Sequence, residues 1–153
     1  MRLIKFLVIV IVFVCIGNGG VYAQLRKAAE VEKVKSFTNG SVTLHKVKTT
    51  SGEIYSVTLK NNSALLDNVV FYLGDKETML KNLKELSAAL AEGKKGDVFD
   101  FSACGKDYHL VYGKVLGQVC FKVSTPTSIS SDFGRFYKAT MDDILEYFKE
   151  SSE

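Results

Sequence analysis

Two stretches with helical apolar spacing, each preceded by β-rich runs, constrain this chain more than any other feature of its sequence. In Lys76 to Glu92, Met79, Leu83, Leu86 and Leu90 recur at steps of four, three and four; Leu80 widens the stripe, and Lys and Glu lie opposite. The second stretch, about Thr140 to Lys149, sets Met141, Ile144, Leu145 and Phe148 on one side. Such stripes must be buried against another layer. Asp75 can accept the free amide hydrogens that open the first helix, and Gly93 can supply a left-handed stop. Thr140 and Asp143 have the spacing of a cap with an acidic third position.

The runs before the helices read as strands. Ser41 to Val47 and Ile54 to Leu59 flank Thr50-Ser51-Gly52-Glu53 as a hairpin, and Val69 to Leu73 is a third run. Asp97 to Ala103 and Lys106 to Tyr112 flank Cys104-Gly105, followed by Gln118 to Val123. Short strings recur too: Ser51-Gly52 resembles Cys104-Gly105, and Val69-Val70-Phe71 resembles Val119-Cys120-Phe121. The expectation is an α+β fold: an antiparallel sheet of about six strands with two or three helices on one face. Its halves, 41–93 and 97–150, read as a duplicated β-β-β-α module. Residues 25–36 read both ways: their Ala, Glu and Lys content favours helix, whereas the turn signal Thr38-Asn39-Gly40-Ser41 would make Val31 to Phe37 a strand.

The first 23 residues read as a cleaved signal peptide. Arg2 and Lys5 precede an unbroken apolar run from Phe6 to Ile16, glycines break it, and Val21-Tyr22-Ala23 suits cleavage before Gln24. That run, about 16 to 21 Å of helix with its flank, is short of the roughly 30 Å hydrocarbon core. The expectation is therefore a secreted or periplasmic protein, 24–153 a single domain with no transmembrane span. Cleavage removes two of the 20 basic residues and none of the 17 acidic ones, leaving a net charge of +1. A nearly neutral chain lacks the electrostatic footprint for nucleic acid.

Cys104 and Cys120 remain in a compartment that permits oxidation. A disulfide would close a loop of about 15 residues. Against it, one cysteine sits in a turn and the other along a later strand, about 13 Å away in extended chain.

The second hairpin carries the candidate chemistry. A two-residue turn at Cys104-Gly105 sets Asp100 opposite His109, Ser102 opposite Asp107, and Phe101 opposite Tyr108. Phe99, Phe101, Tyr108, Leu110 and Tyr112 then share the core side, while Asp100, Ser102, Asp107 and His109 share the other. A hydrolase could use an aspartate to orient His109 and His109 to deprotonate Ser102. Against that, a flat strand face has no pocket to exclude water and no oxyanion donors. No metal is expected, because Asp100, Asp107 and His109 lack His-rich or Cys-rich spacing. No cofactor fingerprint is present either.

The segment 124–137 is the other candidate. Phe121 to Met141 is longer than its counterpart Phe71 to Met79, and the addition ends in Asp132-Phe133-Gly134-Arg135-Phe136-Tyr137. Long loops on rigid scaffolds bind partners, and aromatic and arginine side chains dominate such contacts, which singles out Phe133, Arg135, Phe136 and Tyr137. Asn39-Gly40-Ser41 and Asn61-Asn62-Ser63 match the glycosylation acceptor pattern, both in expected turns. The leading expectation is a non-catalytic binding domain that contacts a protein or small-molecule ligand through the exposed sheet face or this loop. Alternatives are a small hydrolase using Ser102, His109 and Asp100 or Asp107, and an envelope structural domain that forms homo-oligomers through an edge strand.

Overall fold

The computed structural model describes residues 29–151. The expected signal peptide, and the start of the ambiguous 25–36 stretch, lie outside the described residues. Strands Glu30–Phe37 (β1), Val42–Thr49 (β2), Gly52–Leu59 (β3) and Val69–Gly74 (β4) form one antiparallel sheet in chain order, followed by helix Lys76–Glu92 (α1). Strands Val98–Ala103 (β5), Lys106–Val115 (β6), Gln118–Ser124 (β7) and Gly134–Tyr137 (β8) form a second, followed by helix Lys138–Glu150 (α2). The α+β class holds. Two four-stranded sheets replace the expected single sheet of about six strands, and each half runs β-β-β-β-α rather than β-β-β-α.

The two unexpected strands are both sheet edges. Glu30–Phe37 is strand, not the favoured helix, and its pairing with β2 shifts between Lys33 and Lys35. That irregularity inserts one residue, so the strand loses the strict two-residue alternation that would have marked it. Gly134–Tyr137 is a strand of four residues within the stretch read as an added loop. The extra length between Phe121 and Met141 therefore comprises an irregular connection and a fourth strand. The string resemblances above align the third strand of one half with the fourth of the other.

One apolar core joins both sheets and both helices. Leu44, Val57 and Phe71 enter it from the first sheet, Leu110, Phe121 and Phe136 from the second, and Met79, Leu83, Met141 and Ile144 from the helices. Phe71 lies at its centre, with ring centroids 5.0 Å from Phe101, 4.8 Å from Tyr108 and 6.0 Å from Phe136. Burying such a side chain completely stabilises the fold by about 1.5–3 kcal/mol. The halves also interlock. Phe148 of α2 meets Tyr55 of β3 edge-on at 5.6 Å, and Thr140 shares a 2.6 Å hydrogen bond with Thr38 in the first half's opening turn. Ser87 of α1 donates to Asp142 of α2 at 2.7 Å.

The helix ends follow the expectations in part. Asp75 caps α1, accepting from the Thr78 amide at 2.8 Å, and that bond holds its carboxyl below the usual carboxylate range. Gly93 ends α1 at φ −67°, so it is not a left-handed stop. What requires glycine there is space, since an added Cβ would lie 2.7 Å from the Tyr112 ring. Helix α2 starts at Lys138 after an uncapped Tyr137, and Thr140 is buried against Thr38 rather than capping.

Candidate functional site

The β5–β6 ribbon folds as its turn dictates. Cys104 and Gly105 both adopt positive φ, 53° and 71°, the conformation that lets a two-residue turn match the twist of the flanking strands. The resulting register sets Val98 opposite Val111, Asp100 opposite His109 and Ser102 opposite Asp107. Tyr108 and Leu110 are buried and Phe99 and Phe101 pack against the core, so the polar set faces outward.

Outward, the four polar residues form two separate pairs. His109 Nδ1 lies 2.6 Å from Asp100 Oδ1, and Ser102 Oγ donates to Asp107 Oδ1 at 2.6 Å. The serine hydroxyl is therefore committed to a carboxylate rather than to the imidazole. The Asp100 side chain is 83% exposed and that of His109 44%, so water reaches both. A cross-strand pair in that setting contributes about 0.2–1 kcal/mol. Its arrangement stabilises a ribbon, and a triad would need Ser102 and His109 hydrogen-bonded to each other.

Phe133, Arg135 and Tyr137 join the same face. The register of β7 with β8 sets Lys122 opposite Arg135 and Cys120 opposite Tyr137. Combined with the neighbouring registers, this makes a single row across all four strands: Val98, Val111, Lys122 and Arg135. Phe133 lies beside its cationic end, with Lys122 Nζ and Arg135 Cζ each 5.2 Å from the ring centroid. Phe136 alternates to the other side and is fully buried, which removes it from the partner-binding candidates. Two surfaces proposed separately from sequence thus meet on one sheet face, on which Val98 is exposed, Val111, Lys122, Arg135 and Tyr137 are half-buried and Cys120 is buried. Lys122 was missed, because its place beside Arg135 depends on a pairing between strands whose connection is irregular.

The connection itself is tied down. Asn61 Nδ2 donates to the Asp67 carbonyl at 2.8 Å and to Asp132 Oδ1 at 2.7 Å, and the Asn62 amide donates to the Phe133 carbonyl at 2.8 Å. Asn61 is buried and its amide hydrogens are engaged, whereas Asn39 is exposed in its turn. Of the two acceptor patterns, only Asn39 presents its side chain to solvent.

Cys104 and Cys120 are free thiols; the first is exposed and the second buried, where desolvation raises its pKa and outweighs nearby Arg135 and Lys122. His45 lies on the outer side of β2, opposite Lys33 and Ser56, with Nδ1 buried and without a hydrogen-bond partner. Burial, then the Lys33 charge, lowers its pKa, so the neutral ring is favoured. A cleft of about 410 Å³ between β1 and α2 is lined by Lys35, Phe37, Tyr147 and Glu146, among others, and includes none of the ribbon's residues. Among the described residues no helix is long and apolar enough to cross a membrane. Comparison with family models, curated proteins and solved structures finds no match.

Proposed function

We propose that this chain is a non-catalytic binding domain, working in a secreted or periplasmic setting, that contacts a partner protein through the outer face of β5–β8. The observation that carries the reading is the row Val98, Val111, Lys122 and Arg135, flanked by Phe133 and Tyr137. It combines an apolar end with a cationic end flanked by aromatic rings, on a sheet backed by the core. Rigid aromatic and arginine side chains are what binding surfaces use for energy and specificity. Placement outside the cytoplasm rests on the apolar run and small-residue break within residues 1–23.

The test is a photo-crosslinking residue at position 111, compared with one at Lys84 on the exposed side of α1, in cells that express the protein. One discrete adduct from position 111 and none from position 84 is the expected result. Equal labelling from both positions, or none, would refute the reading.

A further inference from the structure

We infer that the cationic end of this face is a carboxylate-recognition site, and that the partner presents an extended acidic segment with an apolar residue near its acidic one. The inference rests on the binding reading above and specifies its chemistry. Lys122 and Arg135 are directly opposed across β7 and β8. Like charges in that position destabilise a sheet. Neither is in an ion pair: the described pairs involve Lys46, Lys48, Lys81, His109 and Lys138.

Arg135 is the one arginine among the described residues. Its Nε is buried without a hydrogen-bond partner, and its head rests against Phe133. Packing rather than hydrogen bonding therefore holds the guanidinium. A planar donor fixed this way, beside an ammonium on the same ring, suits a carboxylate, which accepts two parallel N–H bonds from arginine. Such a ligand would also remove the repulsion between the two cations.

The row's dimensions set the rest of the ligand. Three strand-to-strand steps of about 4.8 Å separate Val98 from Arg135, about 14 Å in all. In an extended segment laid across the strands, residues i and i+4 point to one side and lie about 13 Å apart. An aliphatic side chain at i would cover Val98 and Val111 while a carboxylate at i+4 reaches Lys122 and Arg135. Val98 is 60% exposed and has apolar surface to offer.

The experiment titrates the isotope-labelled protein with a blocked peptide Leu-Ser-Ser-Ser-Glu, the same peptide ending in Gln, and inorganic phosphate, following backbone amide resonances. The Glu peptide should move Val111, Lys122 and Arg135 in a saturable, salt-sensitive way. The Gln peptide should bind at least ten-fold more weakly, and so should the Glu peptide to Arg135→Gln or Lys122→Gln. Both variants should unfold at the same denaturant concentration as the parent or a higher one, which separates lost recognition from lost folding. Equal binding of the two peptides at Val98 and Val111 would overturn the carboxylate site and leave the binding face standing. Phosphate moving the same amides more tightly than the Glu peptide would also overturn it. No response on this face to any probe would remove both readings.

Discussion

The phenol oxygen of Tyr108 lies 3.1 Å from the amide nitrogen of Tyr72, accepting its hydrogen, and donates its own to the Val70 carbonyl at 3.2 Å. Strand β4 is the edge of the first sheet, so a side chain of the second sheet satisfies backbone groups that a further strand would otherwise pair. Burial, more than the Tyr72 bond opposes, pushes the phenol pKa up and keeps it protonated.

Tyr108→Phe keeps the ring and removes both bonds, stranding a part-buried donor and acceptor. The expected loss is about 1–3 kcal/mol in urea unfolding, with faster hydrogen exchange at the Tyr72 amide. Unchanged exchange at Tyr72 would show that the phenol does not protect the edge.

Gly134 faces Leu59 so closely that an added Cβ would lie 2.4 Å from the leucine Cβ. Gly134→Ala should therefore destabilise by about 1–3 kcal/mol, measured by denaturant midpoint. Because the clash is with Cβ itself, Leu59→Ala should not rescue it. Full rescue by that second substitution would mean the strain lies elsewhere.

Asp142 accepts from Lys138 Nζ at 2.7 Å and from Ser87 Oγ at 2.7 Å. Burial raises its pKa, but the Lys138 ammonium and the Ser87 hydroxyl outweigh it and hold the carboxyl below its ordinary 3.8. A depressed folded pKa gives stability that is complete above the unfolded pKa and is lost as pH falls through the folded one. Asp142→Asn should lower the unfolding midpoint near pH 7, and its deficit should shrink as pH drops below about 4. A deficit independent of pH would assign the effect to shape rather than charge.

Cys104 should react with a disulfide reagent in the folded protein, whereas Cys120 should react only on unfolding. The exposed turn and the buried strand position set this difference, since the thiolate is the nucleophile and burial suppresses it. Labelling followed by peptide mapping, before and after denaturation, reads it directly. Rapid modification of Cys120 under native conditions would contradict its burial.

The register and facing of the β5–β6 ribbon were legible in sequence, though not the extension of β6 to Val115, because a two-residue turn leaves only one register and the aromatic residues alternate without interruption. Helix α1 was legible for a similar reason: Met79, Leu83, Leu86 and Leu90 are the residues it buries. Strand β1 was not, since its irregularity at Lys33 to Lys35 breaks the alternation and its charged residues imitate a helix surface. Strand β8 has too few positions to show a period, and its inward residues, Gly134 and Phe136, differ greatly in size. The division into two sheets depends on contacts such as Gly134 against Leu59, which no local pattern records. The candidate face was half legible. Its hairpin side followed from the turn, while the meeting of Lys122 with Arg135 required knowing that β7 and β8 pair.

Helix α2 follows the second sheet in the chain yet rests Phe148 on Tyr55 and Thr140 on Thr38, both in the first half. Severed from the other, either half would lose part of the cover over its inner surface.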